Sequence, residues 1–80
     1  MKTIYKYEIP LSGKVTLPRQ FEPLTVAMQD DTLCLWAAVD IGSPEIVHQF
    51  HVIGTGMEPQ ADTTYINTVF VNGFVLHVFY

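Results

Sequence analysis

The sequence has few of the residues on which disulfide-bonded, metal-binding and membrane proteins depend. Its 80 residues include one cysteine, Cys34, so it has no intrachain disulfide and no cysteine metal cluster. No apolar run approaches the roughly 18 residues that a membrane-spanning helix needs. The opening "MKTIYKYEIP" lacks the apolar segment of a signal peptide. We therefore predict a cytoplasmic protein with no membrane partner.

Lysine and arginine are absent after residue 19. The chain has four basic residues, Lys2, Lys6, Lys14 and Arg19, and eight acidic ones, which give a formal net charge of −4. So few cations argue against an extended nucleic-acid groove, because affinity grows with the number of phosphates neutralised. A small anionic ligand needs only one or two cations and some backbone N–H groups. The other interpretation is an acidic surface that competes for a basic protein or for a nucleic-acid-binding site.

Short runs of β-branched and aromatic residues, separated by Gly, Pro, Asn and Asp, predict strands through nearly the whole chain. We place them at residues 2–9, 14–18, 24–29, 33–40, 45–53, 65–71 and 74–80. No window has a capped helical period, so any helix is a single turn within 57–64. The prediction is one all-β domain over residues 1–80, an antiparallel sandwich or half-open barrel of about six to seven strands.

The connections refine this prediction. Asn72-Gly73 suits a type I′ turn and predicts a hairpin of the last two strands. Most consecutive strands are predicted to be antiparallel neighbours. Residues 17–23, "LPRQFEP", are predicted to be a crossing loop that exposes Arg19 and Phe21. Residues 54–64 are the longest connection, of a length that often carries function.

The predicted core is small for the amount of apolar sequence. A domain of this size gains only roughly 3 to 5 kcal/mol of net stability from its own core. Several predicted strands are apolar on both faces. In strand 33–40, Leu33, Leu35, Ala37 and Val39 are predicted to form a uniformly apolar face, with Cys34, Trp36, Ala38 and Asp40 opposite. Because one small core cannot cover both faces, we expect a homo-oligomer.

Catalytic and metal-binding patterns are weak. On one strand, His48 and His51 point to opposite faces and cannot share an ion, and His51 with His77 has no third ligand. Cys34, inside an apolar strand, is predicted to be buried and inert. Paired carboxylates, a nucleophile elbow and a phosphate-binding P-loop are all missing. We predict a protein that is not an enzyme and has no metal or other cofactor.

A binding site is the remaining possibility. Two glycines free backbone N–H groups for a ligand, aromatic rings offer stacking surfaces, and cations or imidazoles meet phosphate. The alternative is that the glycines only end a strand and the aromatic rings belong to the core. The candidate ligand-binding residues are Gly54, Thr55 and Gly56 as donors, Trp36 and Tyr7 for stacking, and His51, Lys6 and Arg19 as phosphate partners.

Four blocks spread over the chain, "IYKYEIP", "LWAAVD", "GTG" and "NGFVLHVFY", resemble a family of short, mostly uncharacterised proteins encoded by bacteriophages. The resemblance implies a counter-defence protein in the host cytosol. One such class comprises sponge proteins, which sequester the cyclic-nucleotide signals of CBASS or Thoeris immunity, typically as symmetric oligomers. The other is anti-CRISPR-like and blocks a host defence effector through an acidic surface. The resemblance assigns no role to any residue.

We favour the sponge, because sequestration needs only donors, a stacking platform and a pocket that two subunits can enclose. The expected partner is then a small anionic, nucleotide-like ligand.

Overall fold

The computed structural model describes residues 1–80 as eight β-strands and no helix, which confirms the predicted all-β antiparallel fold. No helix long and apolar enough to span a membrane is present. The strands are β1 (Lys2–Glu8), β2 (Lys14–Pro18), β3 (Phe21–Gln29), β4 (Thr32–Asp40), β5 (Glu45–Gln49), β6 (His51–Gly54), β7 (Tyr65–Val71) and β8 (Phe74–Phe79).

The strands form three small antiparallel sheets. The first has the order β1-β4-β3, the second pairs β2 with β5, and the third has the order β6-β8-β7. The arrangement is sandwich-like, and it does not close into a barrel. Of the consecutive strands, only β3 with β4 and β7 with β8 pair with each other, so the prediction of mostly sequential neighbours was wrong.

The first sheet is organised by the central strand β4. As the alternation of its sequence predicts, Leu35, Ala37 and Val39 are fully buried on one face. Cys34, on the opposite face, is also buried, as predicted. A two-residue turn joins β3 to β4, and Asp30 and Asp31 both adopt positive φ there, as a type I′ turn requires.

The predicted single strand 45–53 is broken in two at Phe50. β5 pairs with β2 and β6 pairs with β8, so the chain changes sheet at this residue. The Phe50 side chain is buried in the core, and its N–H donates a 2.7 Å hydrogen bond to the carbonyl of Gly13. Eight strands therefore replace the predicted seven.

The predicted loop 17–23 is also wrong in its extent. β2 includes Pro18 and β3 begins at Phe21, which leaves only Arg19 and Gln20 between them. Phe21 is half-buried, with its ring 4.6 Å from the His48 ring and 5.5 Å from that of Tyr80. This aromatic packing holds the start of β3 against the second sheet.

The third sheet contains the predicted hairpin. Asn72 and Gly73 have φ of 47° and 85°, which confirms the type I′ turn between β7 and β8. Residues 55–64, the longest connection as predicted, leave β6 at the level of Leu76 and rejoin β7 beside Tyr80. The connection therefore crosses from one edge of the sheet to the other, past β8.

An asparagine side chain joins the first and third sheets. The Asn67 amide accepts a hydrogen bond from the Val26 N–H (2.8 Å) and donates one to the Val26 carbonyl (3.0 Å). The Asn67 side chain thus provides hydrogen-bond partners for the backbone N–H and carbonyl at the free edge of β3, as a neighbouring strand would. The core between the sheets comprises Ile9, Val15, Leu17, Val26, Leu35, Ala37, Val39, Phe50, Val69 and Val78.

Candidate functional site

The predicted ligand-binding residues lie on separate surfaces of the molecule. Tyr7 is paired with Leu35, which is fully buried, and Lys6 is paired with Trp36. Because paired residues share a face and neighbours alternate, Tyr7 and Trp36 lie on opposite faces of the first sheet. They do not form one stacking platform.

The three predicted phosphate partners do not converge either. Lys6 donates from Nζ to Oε1 of Gln29 at 2.7 Å, on the outer face of the first sheet. Arg19 lies in the connection between β2 and β3, where its N–H donates to the carbonyl of Pro44. His51 lies on β6, in the third sheet. No single phosphate contacts all three in one subunit.

His51 and Thr55 do share a surface, the outer face of the third sheet. We use this name for nine residues that strand register and hydrogen bonding bring to one side of β6, β8 and β7. In register, His51, Phe79 and Tyr65 form one row and Ile53, His77 and Thr68 the next. The remaining members are Val75 and Phe70, which pair with each other, and Thr55, which follows β6.

A chain of hydrogen bonds runs across this outer face. Thr55 Oγ1 lies 2.9 Å from Nε2 of His77, and Nδ1 of His77 lies 2.9 Å from Oγ1 of Thr68. Thr68 Oγ1 is in turn 2.7 Å from the Tyr65 hydroxyl. Both ring nitrogens of His77 are engaged by hydroxyl groups, which fixes the imidazole ring in the middle of the face.

A β-bulge makes this chain possible. The register of β7 against β8 shifts between Tyr65 and Asn67, so Ile66 is the extra residue. Without the bulge, Tyr65 and Thr68 would be three residues apart on a regular strand and would point to opposite faces. With it, Ile66 packs against the core and both hydroxyls lie on the outer face.

The outer face is aromatic and carries no Asp, Glu, Lys or Arg. Phe70 is 76% exposed and Tyr65 53% exposed, while Phe79 is half-buried with its ring edge-on to Tyr65 at 5.5 Å. Exposed aromatic rings without charged neighbours are typical of surfaces that bind a partner or a ligand.

The Thr55–His77–Thr68 order invites comparison with a catalytic triad, in which a hydroxyl, an imidazole and an orienting group follow one another. The orienting group here is a neutral hydroxyl. It does not stabilise an imidazolium as the carboxylate of a serine hydrolase does. The arrangement is therefore better suited to holding hydrogen-bonding groups in place than to activating Thr55.

No group of three or more His, Cys, Asp or Glu side chains is arranged to hold a metal ion. His48, whose Nε2 lies 3.3 Å from the carbonyl of Pro18, belongs to the second sheet, whereas His51 belongs to the third. His77 lies on the same face as His51, but hydroxyls occupy both of its ring nitrogens.

Gly54 and Gly56 flank Thr55 at the start of the long connection. Gly54 is the last residue of β6 and its carbonyl accepts a hydrogen bond from the N–H of Met57 at 3.1 Å. Met57 is largely exposed. The two glycines thus form the turn that leaves the outer face, beside Thr55 and His77.

Sequence reasoning identified His51 and Thr55 as binding residues, considered His77 only as a metal ligand, and missed Tyr65, Thr68, Phe70 and Phe79. The available signal was the period-two alternation of the last two strands, which places Phe79 on the same face as His77 and Phe70 on the same face as Thr68. The bulge at Ile66 has no clear mark in the sequence.

A family model described as "Domain of unknown function (DUF7352)" matches the chain over residues 1–80. No curated protein matches the chain, and no solved structure matches it. The family description assigns no activity, so the functional argument rests on the geometry of the chain itself.

Proposed function

We propose that this chain, which belongs to the DUF7352 family of domains of unknown function, is a non-catalytic binding protein that sequesters a small nucleotide-like ligand. The observation that carries the proposal is the outer face of the third sheet. There, aromatic rings, two imidazoles and three hydroxyl groups share one surface without any formal charge.

The aromatic rings supply the stacking platform. Phe70 and Tyr65 are exposed on β7, and Phe79 lies between Tyr65 and His51 in the register of the sheet. Stacking of a nucleobase on an aromatic side chain contributes about 1–3 kcal/mol per base. A flat sheet surface with protruding rings is a common way for β-proteins to bind bases.

The polar groups supply orientation. The Tyr65 hydroxyl ends the hydrogen-bonded chain at the exposed edge, and Thr55 ends it on the other side, beside the Gly54-Thr55-Gly56 turn. His51 and His77 are the only side chains on this face that can carry positive charge. A ligand with few phosphates, such as a cyclic nucleotide, therefore fits better than a polynucleotide.

A second copy of the chain would complete the site. Phe70 and Tyr65, both on this face, remain exposed on the single chain. A flat platform encloses a ligand only when another surface covers it, and a symmetric dimer that uses the same face from both subunits does this.

The bacteriophage resemblance provides the biological setting of the proposal. In that setting the ligand is a cyclic-nucleotide signal of CBASS or Thoeris immunity in the host cytosol, and binding removes it without chemistry. The alternative is a protein partner, a host defence effector blocked through acidic residues. It is favoured by Glu8, Asp30 and Asp31, which line two adjoining hollows at one end of the first sheet.

Calorimetric titration with a panel of cyclic mono-, di- and trinucleotides tests the proposal. We expect heat with at least one of them, and we expect the same nucleotide to be recovered intact after the protein is denatured. Phe70→Ala should weaken binding on the order of 5- to 100-fold, because an exposed stacking ring is lost. Phe74→Ala is the matched control, since this exposed phenylalanine alternates to the opposite face of β8.

Absence of heat with every nucleotide would exclude the sponge and favour a protein partner. Recovery of a hydrolysed nucleotide, with hydrolysis lost in Thr55→Ala, would exclude a non-catalytic protein. Equal weakening by Phe70→Ala and Phe74→Ala would exclude the outer face as the site.

A further inference from the structure

One edge of the first sheet, the outer side of β1, is open. β1 pairs with β4 along its whole length without a register shift, and no strand pairs with its other side. The opposite edge, β3, contains Pro23 and a bulge, and the Asn67 side chain occupies part of it. β1 has no proline and no bulge. It is therefore the edge of this sheet on which another strand can add in regular register.

The backbone groups of alternate residues point to this open edge. Just after β1, the Ile9 N–H donates a 2.8 Å hydrogen bond to the Leu33 carbonyl. Because hydrogen-bonded and non-hydrogen-bonded pairs alternate along an antiparallel ladder, Thr3, Tyr5 and Tyr7 are the residues that hydrogen-bond to β4. The intervening residues direct their N–H and carbonyl groups to the open edge. These are Lys2, Ile4, Lys6 and Glu8, all exposed.

The charges on β1 select one register for the pairing of two copies of this strand. In an antiparallel pair centred on Tyr5, Lys2 lies opposite Glu8 of the second copy, at both ends of the pair. Neither residue forms an ion pair within its own subunit. Centring the pair on Ile4 instead places Lys2 opposite Lys6, and centring it on Lys6 places that lysine opposite itself. Because like charges directly opposite are destabilising, the lysines disfavour both of these registers.

From this geometry we propose that two copies of the chain pair antiparallel through β1, about a twofold axis at Tyr5. The residues with free backbone groups then hydrogen-bond across the interface, and Tyr5 lies opposite Tyr5 in a non-hydrogen-bonded pair, where side chains are close. Lys6 is held away from the interface, because its Nζ reaches over β4 to Gln29 on β3. The third sheet joins the first at β3, so this interface leaves the outer face of the third sheet free and needs no nucleotide.

Sedimentation of the chain without nucleotide tests the interface. We expect a dimer whose dissociation constant rises with salt. Glu8→Lys should weaken dimerisation roughly 10- to 100-fold, because symmetry turns two attractive pairs into two repulsive ones. Adding Lys2→Glu to this variant should restore most of the affinity. Glu58→Lys, in the exposed long connection, changes the net charge equally and should leave the dimer intact.

Disulfide formation between copies locates the twofold axis. In a Cys34→Ala background, Tyr5→Cys should cross-link under mild oxidation, because the Cα atoms of a non-hydrogen-bonded pair are about 4.5 Å apart, within disulfide range. Thr3→Cys, on the same face of β1, is the matched control. In this register the two Thr3 Cα atoms are roughly 14 Å apart, which is too far for a disulfide. Circular dichroism verifies that each variant is folded.

A chain that remains monomeric at millimolar concentration would overturn the proposal. A dimer that Glu8→Lys leaves intact would also overturn it, and so would cross-linking by Thr3→Cys but not by Tyr5→Cys. If the double variant dimerises as weakly as Glu8→Lys alone, charge pairing does not select the register and the proposal is wrong.

Discussion

Gly13 is predicted to be the glycine that the fold tolerates replacing least. It is buried between β1 and β2, with φ of +76°, and its carbonyl accepts the N–H of Phe50 where the chain changes from the second sheet to the third. A Cβ built on Gly13 would overlap the carbonyl oxygen of Phe50 and lie 3.2 Å from the carbonyl carbon of the same residue. These two obstacles are backbone atoms, which do not move aside as the third close neighbour, the side-chain Nε2 of Gln49 at 2.6 Å, can.

Alanine at Gly13 has a backbone cost, from the positive φ, and a steric cost, from the added Cβ. The hairpin glycine, Gly73, shows the backbone cost alone. Gly73 has φ of +85°, but a Cβ there meets nothing within 4 Å. Gly73→Ala should therefore cost only the left-handed backbone penalty of about 1–2 kcal/mol. Gly13→Ala should cost the same penalty plus roughly 1–3 kcal/mol for forcing atoms into a filled space. Against a stability of roughly 3 to 5 kcal/mol, Gly13→Ala, at a total cost of about 2–5 kcal/mol, should lose most of its stability, whereas Gly73→Ala should remain folded.

Urea unfolding measures both variants, with the fluorescence of the single tryptophan, Trp36, and far-UV circular dichroism as probes. If Gly13→Ala is unfolded without urea, a stabilising osmolyte restores a measurable transition for all three proteins. Free energies of unfolding that agree within about 0.5 kcal/mol for the two variants would refute the close contact with Phe50.

Three further predictions concern the core and its edges. Asn67→Ala should lower the free energy of unfolding by about 2 kcal/mol or more in urea titrations, because the N–H and carbonyl of Val26 lose their partners; a loss below about 0.5 kcal/mol would contradict the bridging role. Burial, with the Glu45 carboxylate and the Tyr5 phenol nearby, raises the pKa of Tyr7, so the folded state keeps this proton to higher pH than the unfolded state. The resulting stabilisation is complete below about pH 10 and is lost as pH rises further, so Tyr7→Phe should reduce the alkaline loss of stability, and an unchanged pH profile would argue against it. Cys34 is 4% exposed and should react with a thiol reagent only when the protein opens, at a rate that rises with urea; complete modification of the native protein within seconds would show an accessible thiol.

The sequence was most informative where one local signal determines the structure. Alternation along β4 predicted the buried face of Leu35, Ala37 and Val39, because side chains on a strand have a period of two. Asn72-Gly73 predicted its hairpin, because few residues other than Asn and Gly accept positive φ at both positions of the turn.

The predicted fold was wrong where contacts between residues distant in sequence override the local sequence pattern. Residues 45–53 read as one strand, yet the hydrogen bond of Phe50 to Gly13 divides them between two sheets. The prolines of 17–23 suggested a long loop, but β3 is an edge strand with a bulge after Pro23, where proline is tolerated.

The candidate site was predicted only in part for the same reason. His51 and Thr55 were identified from their own segment, whereas the bulge at Ile66, which brings Tyr65 and Thr68 to the same face, depends on packing against the core. Trp36 and Tyr7 were expected to act together, but the pairing of β1 with β4 places them on opposite faces. Such pairings are long-range and leave no mark at either residue.

The most direct test of the proposed binding surface is an NMR titration of the protein with the cyclic-nucleotide panel. The outer face of the third sheet predicts shifts of the imidazole signals of His51 and His77 and of the ring signals of Tyr65 and Phe70. The indole signal of Trp36, on the first sheet, should stay in place. Shifts centred on Trp36 and Lys6, or no shift at a saturating concentration of any nucleotide, would contradict the account.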